Sequence, residues 1–440
     1  MRALALLLAL PLAHGGQVCA SLRAAQPAAQ IDEARPDTAR IQAALDGCSN
    51  GVVELAPDGT RDAFLSGPIR LPSHVTLRIA RGVSLVASRN PRDFDVHPGT
   101  PTCGTLGDGR GCLPLLRAVE ASEVAVVGPG SIEGRGWATL GPPGTPLLSR
   151  DQAGSWWALA RLAKAESYAR KQNCPRLAVF ERCHDIRLAD VTLHDSPNFH
   201  VVFHLSDHIT VEHVEIRTPS KREYVYAPDP HHSAVNTDGI DPISSSGITI
   251  RDTTIDTGDD QIAIKSSDDG HPSADITVEN CRFLQGHGLS IGSETNGGVH
   301  GVRARHITFD GSDNGLRIKS NSTRGGVVDD VVYEDIQLTR VHEPLVFDAF
   351  YQETPGSPKA AGDRIPDFRG ITLRNVHADS GGLRFRGPDA AHPIEIRLEN
   401  VSMDSIGRVL AGHARITLSR CSSALSAALA GRDDVRITTQ

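Results

Sequence analysis

The sequence predicts an all-β chain wound as a right-handed parallel β-helix, a solenoid with one short helix capping its N-terminal end. Three observations predict it. Hydrophobic residues make up 39% of the 440 positions but aromatics only 4%, and there are 42 glycines, a composition for short aliphatic strands and many tight turns. A pattern of strand, tight bend and strand recurs along the chain, and almost nothing helical separates the copies.

The chain opens with "MRALALLLALPLAHGGQVCA". One arginine, an apolar run of about ten residues and then small residues form the pattern of a secretory signal peptide, too short for a membrane span. Cleavage after Gly15 makes 1–15 the signal peptide and 16–440 one domain; cleavage after Ala20 is the alternative. The earlier cut keeps all eight cysteines, and an oxidising compartment favours an even number. Short spacings pair Cys103 with Cys112 and Cys174 with Cys183, while Cys19 with Cys48 would staple the N-terminal segment. No later run is long and apolar enough to cross a bilayer. The net charge of −8 gives no basic field for nucleic acid. An exported monomer with no nucleic-acid or membrane partner is expected.

The open end of a solenoid exposes sheet edges and needs a cap. "DTARIQAALDGCSNG" supplies it. Asp37 is placed as N-cap, Ile41, Ala44, Leu45 and Cys48 share one helical face, and Gly51 ends the segment. A second helical stretch starts at Ser155 in "SWWALARLAKAESYARK" and reads as a packed surface helix.

The repeats follow: "DIRLADVTL" from Asp185, "HITVEHVEI" from His208, "GITIRDTTI" from Gly247, "DITVENCRF" from Asp275, "GVRARHITF" from Gly301, "DVVYEDIQL" from Asp330, "GITLRNVHA" from Gly370 and "ARITLSRC" from Ala414. The longer steps imply loops inserted into single coils.

Aligning the segments after the first strand pairs gives "TDGIDPISS", "DDQIAIKSS", "HGLSIGS" and "NGLRIKS". With one residue of shift before the third, Asp238, Asp260, His287 and Asn314 share a column, and Lys265, Gly292 and Lys319 share another. Successive coils stack about 4.8 Å apart. Three carboxylates and an imidazole therefore meet in one small area, with Asp259 at the strand entrance beside them. Arg317 and Lys319 are two apart on a strand and face the same way. Acids beside cations suit a sugar acid: cations for its carboxylate, acids for the glycosidic bond. Crowded like charges cannot all ionise cheaply, so at least one carboxyl should have a raised pKa, as a general acid requires.

The motifs "NTDGIDP" (236–242), "TGDD" (257–260), "GHGLSIGSE" (286–294) and "RIKS" (317–320) occur in the order found in the polygalacturonases of glycoside hydrolase family 28. The chain resembles that family over residues 19 to 440. "SPNFHVVF", "FLSGPI" and "CGTLGDGRGC" further resemble secreted bacterial endopolygalacturonases. The resemblance implies an inverting hydrolysis of α-1,4-linked galacturonate in pectin and no cofactor. It implies Asp259 as general acid, Asp238 and Asp260 holding and activating the attacking water, and His287 tuning the acids. Arg317 and Lys319 would bind the substrate carboxylate, Tyr351 matches a substrate-binding tyrosine of the family, and Asn236 would orient the site.

The stretch "REYVYAPDPHHSAV" (222–235) departs from the compact bacterial pattern and would lie at the cleft. Closing one end of the groove, it would force cutting from chain ends; lying aside, it would leave internal cutting open. Endo action is the expectation, with an exopolygalacturonase, a rhamnogalacturonan hydrolase or, more remotely, a non-catalytic carbohydrate-binding β-helix as alternatives. His231 and His232 in this stretch read as solvated, and no clustered Cys/His set or EF-hand-like loop marks a metal site. A calcium-dependent lyase fits the three-acid column poorly. "NST" at 321–323 would accept glycan only in a eukaryotic secretory path.

Overall fold

The computed structural model describes residues 16–146, 154–225, 233–267, 270–352, 364–432 and 434–439. Residues 1–15 and the two loop histidines, His231 and His232, lie outside the described residues.

The chain is a parallel β-helix. One of its sheets contains eleven described strands lying side by side, from Ile69–Arg70 and Leu116–Val119 at one end to Leu383–Arg386 and Val409–Gly412 at the other. In its middle, Ile240, Ile262, Leu289, Leu316 and Leu345 stand opposite one another in parallel register. All five are buried and form one ladder along the interior. From 240 to 262 to 289 to 316 the coil lengths are 22, 27 and 27 residues. The rungs stay in register because only strand residues are counted by the hydrogen bonds. Aromatic pairs extend the stacking: Phe180 on Phe203 at 5.4 Å and Phe347 on Phe385 at 5.7 Å between ring centroids.

The repeated strand pairs lie in the larger sheet. Each is broken by one residue in the left-handed conformation: Asp190, His213, Asp252, Asn280, His306, Asp335 and Asn375 all have φ between 50° and 56°. Asn, Asp and His tolerate this region better than other non-glycine residues. The bends also bond along the stack, Asn400 Nδ2 donating to Asn375 Oδ1 and Asn375 Nδ2 to Asp335 Oδ1, each at 2.9 Å.

The N-terminal helix spans Thr38–Asp46 and buries Ile41 and Leu45 against the core. It ends at Gly47, and Gly51 instead begins the next strand, Gly51–Ala56. Asp37 occupies the N-cap position, but its side chain accepts no hydrogen bond from a backbone N–H of the helix. Arg40 draws that carboxylate away, with Nη2 2.5 Å from Oδ1. The second helix, Trp156–Ala165, is capped by the Ser155 hydroxyl, which accepts from the Ala158 N–H. Trp156 and Trp157 are fully buried, and Trp157 Nε1 donates to the Ser196 carbonyl at 2.9 Å.

Two of the three expected disulfides are present, Cys19–Cys48 and Cys103–Cys112. Cys174 and Cys183 are both free and buried. The two nine-residue spacings differ in path. Between 103 and 112 the chain turns back, leaving the Cα atoms 4.8 Å apart. Between 174 and 183 lies the straight strand Ala178–Glu181, which carries the second thiol beyond disulfide reach. Asn321 of "NST" is buried, donating to the Tyr351 carbonyl and accepting from Thr323, so it offers no free amide for glycan.

Denatured, unreduced protein should therefore titrate with four thiols, Cys174, Cys183, Cys281 and Cys421. A peptide joining Cys174 to Cys183 in a non-reducing map would contradict this structure.

Candidate active site

Inward residues of the eleven-stranded sheet alternate with outward ones. Two positions before Val201, Ile240, Ile262, Leu289 and Leu316, whose register is fixed, stand Phe199, Asp238, Asp260, His287 and Asn314. These five share one column at about 4.8 Å per coil. The irregularity in register falls later than the sequence alignment put it, between Ile264 and Ser266. Two close approaches account for glycines beside the acids. A Cβ on Gly258 would meet the Ala234 carbonyl oxygen at 2.2 Å. Gly288, at φ 95°, would meet that of Gly315 at 2.3 Å.

Asp259 lies at the strand entrance. Its Oδ1 accepts from the Asp260 N–H at 2.9 Å and sits 3.0 Å from His287 Nδ1. Its Oδ2 accepts from the Asn236 N–H at 3.2 Å. Asn236 is left-handed, at φ 57°, and its side-chain oxygen accepts from Gln172 Nε2 at 3.0 Å. It thus meets Asp259 through its main chain. Tyr168 reaches the same corner: burial, and then the Asp259 charge, push its hydroxyl up to about 12.

Asp260 is buried and fully engaged. Ser290 Oγ and Arg317 Nη1 donate to one oxygen at 2.9 and 3.2 Å, and Lys319 Nζ to the other at 2.6 Å. Both cations also face the Tyr351 ring, at 5.4 Å and 5.0 Å from its centroid. Arg317 Nε is buried with no partner among the described residues.

Asp238 is held differently. Lys265 Nζ stands 3.3 Å from its Oδ2 and ion-pairs with Asp241 as well. Lys265 also sits 4.4 Å from the centre of the Phe199 ring. Asp238 Oδ1 is buried without a partner. His200 fixes the backbone here, its Nδ1 3.0 Å from the Asp238 carbonyl and its Nε2 2.8 Å from Thr218 Oγ1. Burial lowers the His200 pKa to about 4, so the ring is neutral.

The electrostatics divide the acids. Burial, then Asp241 and Asp259, push Asp238 well above the carboxylate range. Burial raises Asp241 to about 6 against the pull of Lys265. Asp259 moves the other way: burial opposes ionisation, but His287 beside it outweighs burial and holds the carboxyl low. His287 is raised in turn, Asp259 outweighing burial. A raised carboxyl was expected, but it is Asp238, whereas the family resemblance gives the proton-donating role to Asp259.

Sequence reasoning brought Lys265 into a column but gave it no role, and missed Asp241, His200, Gln172 and Tyr168. Asp241 was findable, since it follows inward Ile240 and must face outward. Gln172 and Tyr168 come from the insertion after the second helix, which no column contains.

A family model described as "Glycosyl hydrolases family 28" matches residues 100–423. The chain is 38% identical over 370 residues to an endo-polygalacturonase of Pectobacterium parmentieri, covering 84% of each. It is 37% identical over 404 residues to a polygalacturonase of Ralstonia solanacearum, covering 84% of this chain and 73% of that one. Among solved structures, the polygalacturonase from Erwinia carotovora ssp. carotovora superposes with a TM-score of 0.79 at 35% identity, over 91% of this chain and 96% of that one. An exopolygalacturonase from Thermotoga maritima, at 20% identity and a TM-score of 0.69 over 96% and 93% of the chains, shares the fold. With its parallel coils, its acid column and these matches, the chain belongs to glycosyl hydrolases family 28 and is a glycoside hydrolase.

Proposed function

We propose that the protein hydrolyses α-1,4 bonds between galacturonate residues of pectin, with inversion and within the chain. The observation that carries this reading is the single patch in which Asp238, Asp259, Asp260 and His287 adjoin Arg317, Lys319 and the Tyr351 ring. Cations beside an aromatic ring suit a pyranose carrying a carboxylate. Endo action takes its support from the endo-polygalacturonase relative. Residues 1–15 would direct export, and residues 16–440 would act as one monomeric catalytic unit.

In this reading a galacturonate carboxylate docks on Arg317 and Lys319, sharing them with Asp260. A water rests against the unpartnered Oδ1 of Asp238 and beside Asp260. It loses a proton to that pair as it attacks the anomeric carbon. Asp259 protonates the departing glycosidic oxygen on the other side of the ring, and the carbon–oxygen bond breaks. Inversion needs room for the water, with acid and base roughly 6.5–9.5 Å apart. His287 and Asp259 share a proton near neutrality, and substrate entering beside them draws it onto Asp259. A second reading exchanges the roles, because Asp238 is the carboxyl held protonated.

A product profile from polygalacturonate tests the main reading. Mixed oligomers with initially inverted anomeric configuration are expected; monomer alone would mean cutting from the end, and an unsaturated product would mean a lyase. The acid is identified by Asp259→Asn and Asp238→Asn. Each should lose about 10²–10⁴ in turnover on polygalacturonate. On an oligogalacturonide with a nitrophenyl leaving group, which needs no proton, Asp259→Asn alone should recover. Recovery of Asp238→Asn instead would establish the exchanged roles.

Lys265 opposes the rise of Asp238 and Asp241, so removing it makes both harder to ionise. Lys265→Met should move the acid limb of the kcat/KM profile to higher pH and lower activity on that limb about tenfold, the worth of one charge-assisted hydrogen bond. Lys265→Arg should restore part of it. An acid limb unmoved by Lys265→Met would remove Lys265 from the proton balance.

A further inference from the structure

The acid column stands before the strands of the eleven-stranded sheet. Past the far ends of two of those strands, Ala178–Glu181 and Val201–His204, the chain turns into strands His184–Ala189 and Asp207–Glu212 of the larger sheet. There two coils bring four side chains of metal-ligating type together. His184 stands opposite Asp207 in parallel register, one coil apart. Asp185 and His208 follow them at the bends, left-handed at φ 56° and 54°. The next coil has Gly247 at the equivalent bend, at φ 63°. Glycine adopts this conformation at less cost than histidine. The His208 side chain is 67% exposed.

Both imidazoles converge on one carboxylate. His184 Nδ1 and His208 Nδ1 each contact Asp207 Oδ1, the second at 2.6 Å. The two rings lie 4.6 Å apart between centroids, at 61° to one another. One ring nitrogen from each histidine and one oxygen of Asp207 lie within 4.8 Å of one another. The remaining nitrogen of His184, Nε2, stands 3.1 Å from Asp185 Oδ2. Burial would raise the Asp207 carboxyl, but hydrogen bonds with His208 and His184 outweigh it and hold the group ionised to lower pH. Among the described residues, two other groups bring three such donors together, Glu133 with His194 and Asp195, and Asp259 with Asp260 and His287. Each has one imidazole. A bend histidine elsewhere, His306, faces the Asp335 carboxylate at 3.3 Å.

We propose that His184, Asp207 and His208 bind a divalent transition-metal ion of the zinc class, which joins two neighbouring coils at the corner between the sheets. Two imidazoles and a carboxylate suit zinc, nickel or copper, whereas calcium and magnesium prefer all-oxygen sets. The ion would take Nδ1 of each ring at about 2.0–2.1 Å and an Asp207 oxygen at about 2.0–2.2 Å, with water completing the shell. Asp207 is 43% exposed and has room to withdraw from the rings by the small distance this needs. With the ion on Nδ1, the His184 proton sits on Nε2, where Asp185 accepts it. A carboxylate in that position orients a ligating histidine and raises its basicity. Spacing along the chain hides the set, because His184 and Asp207 lie 23 residues apart and only the coil register joins them. The inference is independent of the galacturonan reading.

The test is calorimetric titration of zinc chloride into the purified full chain, with wild type, His208→Gly, Asp207→Asn, Asp185→Gly and Asp259→Asn. His208→Gly gives its bend the residue that the next coil already has, and Asp185→Gly relieves a left-handed residue, so both should fold; circular dichroism checks this. Wild type should bind zinc at a site that His208→Gly and Asp207→Asn each weaken about 100-fold or more. Asp185→Gly keeps all three ligands and should weaken it about tenfold, the effect of losing an outer-shell partner. Asp259→Asn should bind as wild type does, and a tenfold excess of calcium chloride should leave the zinc isotherm unchanged. No zinc binding by wild type would overturn the site, as would wild-type affinity in His208→Gly or Asp185→Gly. Loss of zinc binding in Asp259→Asn would overturn it by placing the ion among the catalytic acids, and displacement by calcium would reduce it to unselective attraction of cations by surface carboxylates.

Discussion

Parallel hydrogen bonding between successive coils sets each strand residue opposite one partner above and one below, and every other property of this molecule follows from that registration. It forces Ile240, Ile262, Leu289, Leu316 and Leu345 into one interior ladder. Alternation then forces their strand neighbours, Asp241 and Arg317 among them, outward, while Asp238, Asp260 and His287 stand at the strand entrances, before alternation begins. Asp238, Asp260 and His287 meet because the hydrophobic ladder beneath them is in register. A one-residue slip of the strand Ile262–Ser266 would turn Ile262 and Ile264 to solvent and scatter the acids.

Bringing carboxylates together in a buried place is costly unless cations share it. The protein divides the problem among three groups. Asp260 is contacted by Arg317 and Lys319, and Asp238 with Asp241 by Lys265. Asp259 has His287, whose other ring nitrogen stands 3.6 Å from Asp313. The same cations therefore balance the acids and face the cleft. Phe199 stands between two cations, with Lys265 and Arg176 both near its ring.

The fold was legible because its determinants are local and periodic. Asp, Asn, His and Gly recur where each repeat bends or begins, and these are the residues that accept φ near 55°. The column was legible because strand alternation and coil spacing are rigid. What escaped notice came from outside the period. Tyr168 and Gln172 reach the acids from a helical insertion whose length no repeat dictates. The free state of Cys174 was illegible because spacing gives sequence distance and says nothing of whether the intervening chain runs straight. The proton balance between Asp238 and Asp259 escaped because it depends on how the cations are shared, Lys265 between Asp238 and Asp241, with His287 beside Asp259.

Coil lengths of 22 and 27 residues hold the same rungs. Extra residues go into the bends outside the sheet, where the backbone register does not count them. The scaffold therefore separates two kinds of inheritance. Substitutions on the rungs act on the chemistry, whereas insertions between them reshape only the banks of the groove. A lineage can lengthen a loop between two rungs without moving Asp238 relative to Asp260. Diversity of substrate access is in this sense uncoupled from the preservation of catalysis, by geometry that already exists in the hydrogen-bond ladder.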